Sequence, residues 1–260
     1  MSESITITPI GTFRCSEVYP QEAARQGTVR PDSAGVVELN PGHNFEQAVQ
    51  DLDGFSRIWL IFIFDRNKHW KPLAQPPRGN RKVGLFACRS PYRPNGIGLS
   101  CVELVAVDGL RLTVRGHDLL DGTPILDIKP YIPYADSFPE AAEGWLETCS
   151  SDKWNVMFAD SVAEQLAWLN ANGVTFLTPF IQVQVSENPT DAGRKRVRRL
   201  TDDTWEVACR TWRLTFKMET ASRKLTILAI ASGYKAEELS QANDRYHDKA
   251  VHRAFQQRFC

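Results

Sequence analysis

The clearest local signal in the sequence is a β-hairpin. Residues 100–107 form a mostly apolar run, Asp108-Gly109 follows it, and apolar and polar side chains alternate in residues 110–115. An Asp-Gly pair between two such segments is typical of the tight turn that joins antiparallel strands. The hairpin therefore fixes one antiparallel strand pair, around which the rest of the first half has to pack.

The residues around this hairpin also favour short strands. Further strands are predicted at residues 5–10, 35–39, 55–64 and 83–88, and one short helix is predicted at residues 45–52 with Asn44 as N-cap. No helical spacers of about ten residues separate these strands, which argues against a doubly wound parallel sheet. We therefore expect residues 1–143 to form an antiparallel β-barrel or sandwich.

A second, small α+β domain is predicted for residues 144–260, because the composition changes after Tyr134. Residues 161–164 have the pattern of a capping box that begins a helix, and Asn172-Gly173 would end that helix. Three strands are predicted at residues 181–185, 212–216 and 225–231, and a final helix at residues 237–257.

Composition excludes several classes of protein. The chain has 31 Lys or Arg and 31 Asp or Glu, so no global charge draws it to nucleic acid or an anionic membrane, and any basic surface must be local. The most apolar run, residues 58–64, is far shorter than the roughly 20 residues of a membrane-spanning helix. The first residues lack the features of a secretory signal. We therefore expect a cytoplasmic protein that makes no membrane contact.

The common cofactor and metal motifs are absent from the sequence. It contains no Gly-x-Gly-x-x-Gly between a strand and a helix, no Walker A motif, no Gly-x-Ser-x-Gly and no His-Glu-x-x-His. The six cysteines have no paired spacing, and the five histidines include no pair at helical i,i+4 spacing. We therefore expect structural thiols, no metal and no Rossmann-type cofactor site.

Two segments are rich in cations. Residues 88–100 hold Arg89 and Arg93 between prolines and glycines, and rigid backbone of this kind suits the binding of a carboxylate or a phosphate. Residues 194–199 contain five cations in six positions, a pattern that predicts a phosphate contact. The alternative for both segments is solvated surface charge.

A third polar segment, residues 117–131, follows the hairpin and contains three carboxylates, one lysine and a Pro-Tyr pair. Such a density of ionisable groups in a turn favours a binding or catalytic role. The alternatives are that Asp121 merely starts a turn and that Lys129 merely neutralises Asp127.

Three segments together closely resemble the TsaA-like family of β-barrel tRNA methyltransferases. They are Pro-Pro-Arg at residues 76–78, the loop at residues 89–100, and Asp-Leu-Leu-Asp-Gly-Thr-Pro through Asp-Ile-Lys-Pro-Tyr at residues 118–131. The resemblance covers residues 5–140, and the rest is similar to the extra domain of longer bacterial members. It implies a barrel that uses S-adenosylmethionine to methylate N6 of threonylcarbamoyladenosine at position 37 of tRNA, and it implies a homodimer.

The resemblance also implies which residues line the cofactor: Ala24, Arg25, Gln26, Asp65, Arg66, Arg89, Leu99, Leu119, Leu120, Asp121 and Gly122. N6 of the modified base lies beside a carbonyl, which makes its proton easier to remove, so a proton acceptor is expected. The candidates for this catalytic role are Asp118, Asp127 and Tyr131. The side chains expected to contact the tRNA anticodon loop are Arg78, Arg93, Asn95, Lys129, Arg194, Lys195, Arg196, Arg198 and Arg199.

Two other functions fit the same residues. One is a noncatalytic RNA-binding or adaptor protein, in which the arginines hold phosphates and no cofactor binds. The other is an S-adenosylmethionine-dependent enzyme that methylates a small carboxylated molecule.

Overall fold

The chain forms two compact units, unit 1 (residues 1–151) and unit 2 (residues 152–260). The structure, a computed structural model, describes residues 5–20, 22–76, 81–148, 154–186, 188–193 and 195–259. The predicted mainly β fold, with an N-terminal antiparallel barrel and a C-terminal α+β region, is confirmed. The functional domains 1–143 and 144–260 stay a prediction.

Unit 1 is a closed barrel of six antiparallel strands in the order β1-β2-β7-β6-β3-β8. Its elements are β1 (Gly11–Cys15), β2 (Ala34–Leu39), α1 (Phe45–Ala48), β3 (Arg57–Ile63), β4 (Leu73–Ala74), β5 (Val83–Gly84), β6 (Ile97–Asp108), β7 (Arg111–Arg115), β8 (Pro124–Pro130) and α2 (Pro133–Asp136). Short 3-10 helices lie at Gly27–Val29, Leu52–Gly54, Leu85–Ala87 and Gly144–Thr148.

The barrel closes because alternate residues of each strand are apolar and point inward. In β3 the inward residues Ile58, Leu60 and Phe62 are buried, and they pack with Phe13 of β1 and Val102 of β6 in one core cluster. The predicted hairpin joins β6 to β7, and Gly109 at its turn has a φ of 53°, a conformation that glycine adopts without strain.

The chain connections fall into two groups, one at each end of the barrel. Three connections leave from the same end: the β1–β2 loop (residues 16–33), the β3–β6 connection (residues 64–96) and the β7–β8 turn (residues 116–123). We call this end the loop rim. The opposite end carries the short β6–β7 hairpin turn and the β2–β3 connection.

Two strand predictions in unit 1 were wrong. Ile5 and Ile7 are exposed and unpaired within the described residues, and β1 begins at Gly11, where backbone pairing with both β2 and β8 starts. Of residues 83–88, only Val83–Gly84 pair as a strand, and the chain then turns through Leu85–Ala87. Residues 5–9 have the apolar pattern but no neighbouring strand within the described residues, and the strand at Val83–Gly84 stops where its pairing with β4 stops.

Unit 2 contains a five-stranded sheet in the order β10-β11-β12-β13-β9, in which only the β13–β9 pairing is parallel. Its elements are β9 (Asn155–Phe158), α3 (Asp160–Ala171), α4 (Leu177–Phe180), β10 (Val197–Arg199), β11 (Thr204–Cys209), β12 (Trp212–Glu219), β13 (Lys224–Ser232), α5 (Ala236–Ser240) and α6 (Lys249–Phe259). Its core includes Trp212, Phe216 and Phe255.

The strand predicted at residues 181–185 is wrong, because Ile181–Val185 form a π-helical turn that continues α4. Ile181 and Val185 are both buried, and a separation of four residues places two side chains on one face of a helix as well as on one face of a strand. Helix α3 begins at Asp160 without a capping side chain, and the predicted final helix is two shorter helices, α5 and α6.

Throughout the described part of the chain, the helices are too short or too polar to span a bilayer.

Candidate cofactor site at the loop rim

The loop rim brings together the implied cofactor residues, which are far apart in sequence. The β1–β2 loop contributes Ala24, Arg25 and Gln26; the β3–β6 connection contributes Asp65, Arg66 and Arg89; the β7–β8 turn contributes Leu119, Leu120, Asp121 and Gly122. Leu99 lies near the start of β6 with its side chain on the outer face of the barrel. Loops carried by one end of a rigid barrel are a common place for a binding site.

The β7–β8 turn is held against the end of β1 by backbone hydrogen bonds. The Asp121 N–H donates to the Glu17 carbonyl at 2.8 Å, and the Gly122 N–H donates to the Phe13 carbonyl at 2.8 Å. Asp121 Oδ1 also accepts the Cys15 N–H at 3.2 Å. One carboxylate oxygen of Asp121 therefore stabilises the turn by accepting a backbone N–H, which was the alternative to a binding role in the sequence analysis.

Arg66, in the β3–β6 connection, links all three connections of the loop rim. Its guanidinium donates to the Asp121 carbonyl at 2.6 Å and to the Val18 carbonyl in the β1–β2 loop. Because both acceptors are backbone carbonyls, Arg66 fixes the spacing of the loop and the turn.

Asp118, in the β7–β8 turn, has an unusual environment for an ionisable group. It is half-buried, its Oδ1 accepts a short hydrogen bond from Ser100 Oγ in β6, and burial raises the pKa of its carboxyl above the ordinary value. The Ser100 hydrogen bond and the nearby Arg89 guanidinium lower that pKa in part. Asp118 is thus a carboxylate with a raised proton affinity beside an exposed arginine.

A buried ionic cluster lies beneath the β1–β2 loop. Arg30 donates to Glu17 Oε1 at 2.8 Å, and His117 Nε2 lies 3.8 Å from Glu17 Oε2. Burial opposes ionisation of Glu17, but the Arg30 hydrogen bond and the nearby His117 hold the Glu17 pKa below its ordinary value. Burial lowers the pKa of His117, although Glu17 opposes that shift. The cluster joins the loop to the β7–β8 turn.

Cys15, Glu17 and His117 place potential metal-ligand atoms within 4.8 Å of one another. Burial raises the pKa of the Cys15 thiol to about 12, whereas a metal would need the thiolate. The Arg30 guanidinium 2.8 Å from Glu17 already neutralises that carboxylate and repels a cation. The cluster therefore fits an ion pair better than a metal site.

The other two catalytic candidates lie away from the loop rim. Asp127 is on the outer face of β8, where it pairs with Lys129 at 2.9 Å. Tyr131 follows the far end of β8 and its ring lies 5.8 Å from the Trp59 ring. The seven residues of β8 span about 20 Å, so the structure separates Tyr131 from Asp118.

The cations predicted to contact tRNA are distributed over both units. In unit 1, Arg93 donates to the Cys88 carbonyl at 2.9 Å, and Asn95 is exposed in the same connection. In unit 2 the cations of the basic run have partners inside the unit. Lys195 donates to the Gln184 and Asn188 carbonyls, Arg196 to the Arg210 carbonyl, Arg198 to Glu206 at 2.8 Å and Arg199 to Asp202 at 3.1 Å. Arg78 and Arg194 lie outside the described residues.

Sequence reasoning missed Ser100, Glu17 and Arg30. A signal for Ser100 existed, because it is a polar residue at an inward position of an otherwise apolar alternating strand. The sequence around Glu17 and Arg30 shows no comparable pattern, because these two residues become buried only when the β1–β2 loop folds over the barrel.

Comparison with known proteins places this architecture in a family. The model of the tRNA-methyltransferase O N-terminal domain matches residues 14–137. The tRNA (adenine(37)-N6)-methyltransferase of Escherichia coli strain K12 is 36% identical over 200 residues, 74% of this chain and 85% of that protein. A Pseudomonas aeruginosa protein provisionally named as an S-adenosylmethionine-dependent methyltransferase is 45% identical over 142 residues, 53% of this chain and 59% of that protein.

Solved structures give the same assignment. The crystal structure of TrmO from Pseudomonas aeruginosa has a TM-score of 0.64 and 27% sequence identity, over 88% of this chain and 99% of that one. With the sequence similarity extending over most of the Escherichia coli protein, the chain belongs to the tRNA (adenine(37)-N6)-methyltransferase family.

Proposed function

We propose that this chain transfers the methyl group of S-adenosylmethionine to N6 of adenine 37 in tRNA, and that the acceptor is threonylcarbamoyladenosine. Membership of the methyltransferase family supports the reaction. The observation that carries the site is the meeting of the β1–β2 loop, the β3–β6 connection and the β7–β8 turn at one rim of the barrel.

The groups at this rim fit S-adenosylmethionine. Arg89 is exposed and suits the cofactor carboxylate, and Asp121 retains one carboxylate oxygen for an amine or hydroxyl. The Leu120 N–H has no hydrogen-bond partner within the described residues, so it is available to an acceptor atom of the purine. When bound, the cofactor supplies an electrophilic methyl group on its sulfonium.

Asp118 is the proton acceptor in this proposal. Its raised pKa favours proton uptake from N6, and the Ser100 hydroxyl fixes the orientation of its carboxylate. A catalytic role for Asp127 or Tyr131 would place the acceptor nucleotide far along β8 from Asp118. We therefore assign proton removal to Asp118, while Lys129 on the outer face stays a candidate for contact with tRNA phosphate.

The test uses the full chain with methyl-labelled S-adenosylmethionine and two tRNAs that differ only in the threonylcarbamoyl group. We expect label on the tRNA that carries the group and little on the one that lacks it. Equal labelling would contradict the substrate assignment. Labelling of a small carboxylated molecule in place of tRNA would favour the alternative enzyme.

Calorimetry tests the noncatalytic alternative. We expect both S-adenosylmethionine and its demethylated product to bind the protein. Binding of tRNA without binding of either cofactor form would instead identify an RNA-binding adaptor.

We also propose that the protein acts as a cytoplasmic homodimer and without a metal. The dimer is supported by two exposed apolar side chains on the outer face of β6, Ile97 and Leu99, which a second copy of the chain would bury. Sedimentation equilibrium measures the mass, and a monomer at micromolar concentration would contradict the dimer. Activity that is lost in EDTA and restored by a divalent ion would contradict a metal-free reaction.

A further inference from the structure

Part of the β3–β6 connection has an unusual charge composition. Residues 66–93 hold eight cations and no Asp or Glu, in a chain whose charges balance overall. We call the described part of this stretch, residues 66–76 and 81–93, the basic aromatic segment. The eight cations are Arg66, Lys68, Lys71, Arg78, Arg81, Lys82, Arg89 and Arg93. Such a local excess of positive charge attracts a polyanion even though the net charge of the protein is zero.

The same segment exposes three aromatic side chains. Phe86 is 79% exposed, Trp70 is 56% exposed and Tyr92 is 37% exposed. Burying large aromatic rings away from water is favourable, so the exposure of three of them in one connection points to a partner that covers them.

Two of these three rings each lie beside a cation of the same segment. The Lys71 ammonium lies 4.2 Å from the centroid of the Tyr92 ring, and the Lys71 N–H donates to the Tyr92 carbonyl at 3.1 Å. The Arg93 guanidinium lies 5.8 Å from the centroid of the Phe86 ring. Each pair therefore places a positive charge next to an aromatic ring.

The backbone under Phe86 is fixed. The Leu85 N–H donates to the Pro72 carbonyl at 3.0 Å, and the Trp145 indole N–H donates to the Ala87 carbonyl at 2.7 Å. The short β4–β5 pairing joins the two halves of the segment. Fixing the backbone that carries the Phe86 ring reduces the entropy lost when a partner is bound.

We infer that the basic aromatic segment binds unpaired nucleotides of the tRNA, with Phe86, Trp70 and Tyr92 stacking on bases and the exposed Lys68 and Lys71 contacting phosphates. The inference rests on the proposed function and names the surface that presents the anticodon loop to the loop rim. Aromatic rings interleaved with cations are the chemistry that recognises single-stranded RNA.

The test measures direct binding of threonylcarbamoylated tRNA to the full chain in the absence of cofactor. We expect Phe86→Ala to raise the Kd for tRNA about tenfold, because the substitution removes the ring on which one base would stack. Phe86→Trp, which keeps a π-face, should bind within about twofold of the unsubstituted protein by the same reasoning. Phe86→Leu keeps an apolar side chain without a π-face and should behave like Phe86→Ala.

Tyr134→Ala removes another exposed ring outside the segment and serves as the matched control, with unchanged tRNA binding expected.

A second arm tests the cations. In the plot of log K for tRNA binding against log salt concentration, Lys68→Gln combined with Lys71→Gln should make the negative slope shallower by about 1.4. This is roughly 0.7 for each phosphate that a lysine no longer neutralises. Unchanged tRNA binding by Phe86→Ala would overturn the inference. It would also be overturned if sedimentation showed that Phe86→Ala changes the oligomeric state and that this change explains the weaker tRNA binding. Because binding is measured without methyl transfer, an unsubstituted protein that binds tRNA but fails to methylate it would contradict the proposed function and leave the binding surface in place.

Discussion

Asp118 illustrates how one side chain can be unfavourable for the fold and useful for the reaction. Its carboxyl is placed where burial raises its pKa, so ionising it near neutral pH costs folding free energy. The Ser100 hydroxyl and the Arg89 guanidinium recover only part of that cost. Strained or poorly solvated groups of this kind are typical of sites that act on a substrate.

Asp118→Asn tests this residue. We expect methyl transfer at saturating substrates to fall about 100-fold or more, because a positioned general base contributes roughly 10²–10⁴ in rate. The rate of the unsubstituted enzyme should rise with pH as Asp118 ionises, and the variant should lose that pH limb. Single-turnover methylation between pH 5 and 9 is the measurement.

Two controls keep the result for Asp118→Asn interpretable. The amide still accepts the Ser100 hydrogen bond and carries no charge to bury, so the melting temperature should stay equal or rise. Binding of S-adenosylmethionine should change by no more than about twofold if Asp118 acts mainly in proton transfer. A variant that retains the full rate would remove Asp118 from the mechanism.

At the scale of elements, the β1–β2 loop and the β7–β8 turn touch through backbone as well as through ions. A Cβ atom built on Gly27 would lie 1.7 Å from the Gly116 carbonyl oxygen, so only glycine permits this approach. Gly27 directly follows Gln26, and the contact therefore sets the position of the implied cofactor loop.

Gly27→Ala should push the β1–β2 loop away from the β7–β8 turn. We expect weaker binding of S-adenosylmethionine, by about tenfold or more, and a loss of roughly 2 kcal/mol of unfolding free energy. Gly54→Ala is the matched control, since a Cβ there meets nothing within 4 Å. Calorimetry and urea unfolding measure the two effects, and equal behaviour of the two variants would contradict the role of the contact.

The elements that sequence could predict are those with local signals. Asp108-Gly109 fixes a turn by its own chemistry, and the structure has the hairpin there. Residues 5–10 and 181–185 carry apolar spacing that suits a strand, but a strand also needs a partner, and a partner is not a local property. The structure gives these residues an irregular segment and a π-helical turn.

The site was predictable in part for the same reason. Asp118 and Asp121 could be singled out because polar residues crowd one turn, but spacing alone could not show that Asp127 points away from them on the outer face of β8. The contact of Ser100 with Asp118 and the pairing of Glu17 with Arg30 depend on how the barrel closes. Closure of the barrel, which depends on contacts between distant parts of the sequence, determines which side chains are buried. Burial in turn determines which ionisable side chains have shifted pKa values.

At the scale of the whole molecule, each unit buries one histidine whose pKa is lowered by that burial. Burial lowers the pKa of His117 in unit 1, and it lowers the pKa of His252 in unit 2 from 6.5 to about 4, although Asp248 opposes the second shift. His252 Nδ1 and Nε2 lie 2.8 Å from Ser232 Oγ and 3.0 Å from Thr211 Oγ1. Burial therefore favours the neutral form of each histidine, and the neighbouring carboxylate opposes it in each case.

Stability should fall as the solution becomes acidic. Because the folded pKa of His252 is below the unfolded value, the unfolded chain binds more protons between about pH 6.5 and pH 4, and stability is lost as pH decreases through that window. His252 alone should account for about 2 kcal/mol between pH 7 and pH 5. Urea unfolding at both pH values is the measurement. His252→Gln should show a smaller difference between the two, and an identical difference would contradict this origin.

The basic surfaces of the two units should contribute unequally to tRNA binding. Arg196 and Arg198 already have partners in unit 2, and Arg198 would exchange Glu206 for a phosphate with little net gain. We expect Arg196→Gln with Arg198→Gln to raise the tRNA Kd by less than about threefold at 0.15 M salt, less than Lys68→Gln with Lys71→Gln. A larger effect would identify unit 2 as a principal tRNA contact, as the sequence alone predicted.

The tight β6–β7 hairpin has a practical consequence for anyone who handles this protein. Its turn at Gly109 lies at the opposite end of the barrel from the loop rim, in a connection too short to take part in chemistry there. Exposed turn tips tolerate inserted residues better than strands do. A short affinity peptide spliced in after Gly109 would anchor the enzyme to a bead or sensor chip by the inert end of its barrel and leave the reactive end accessible to tRNA.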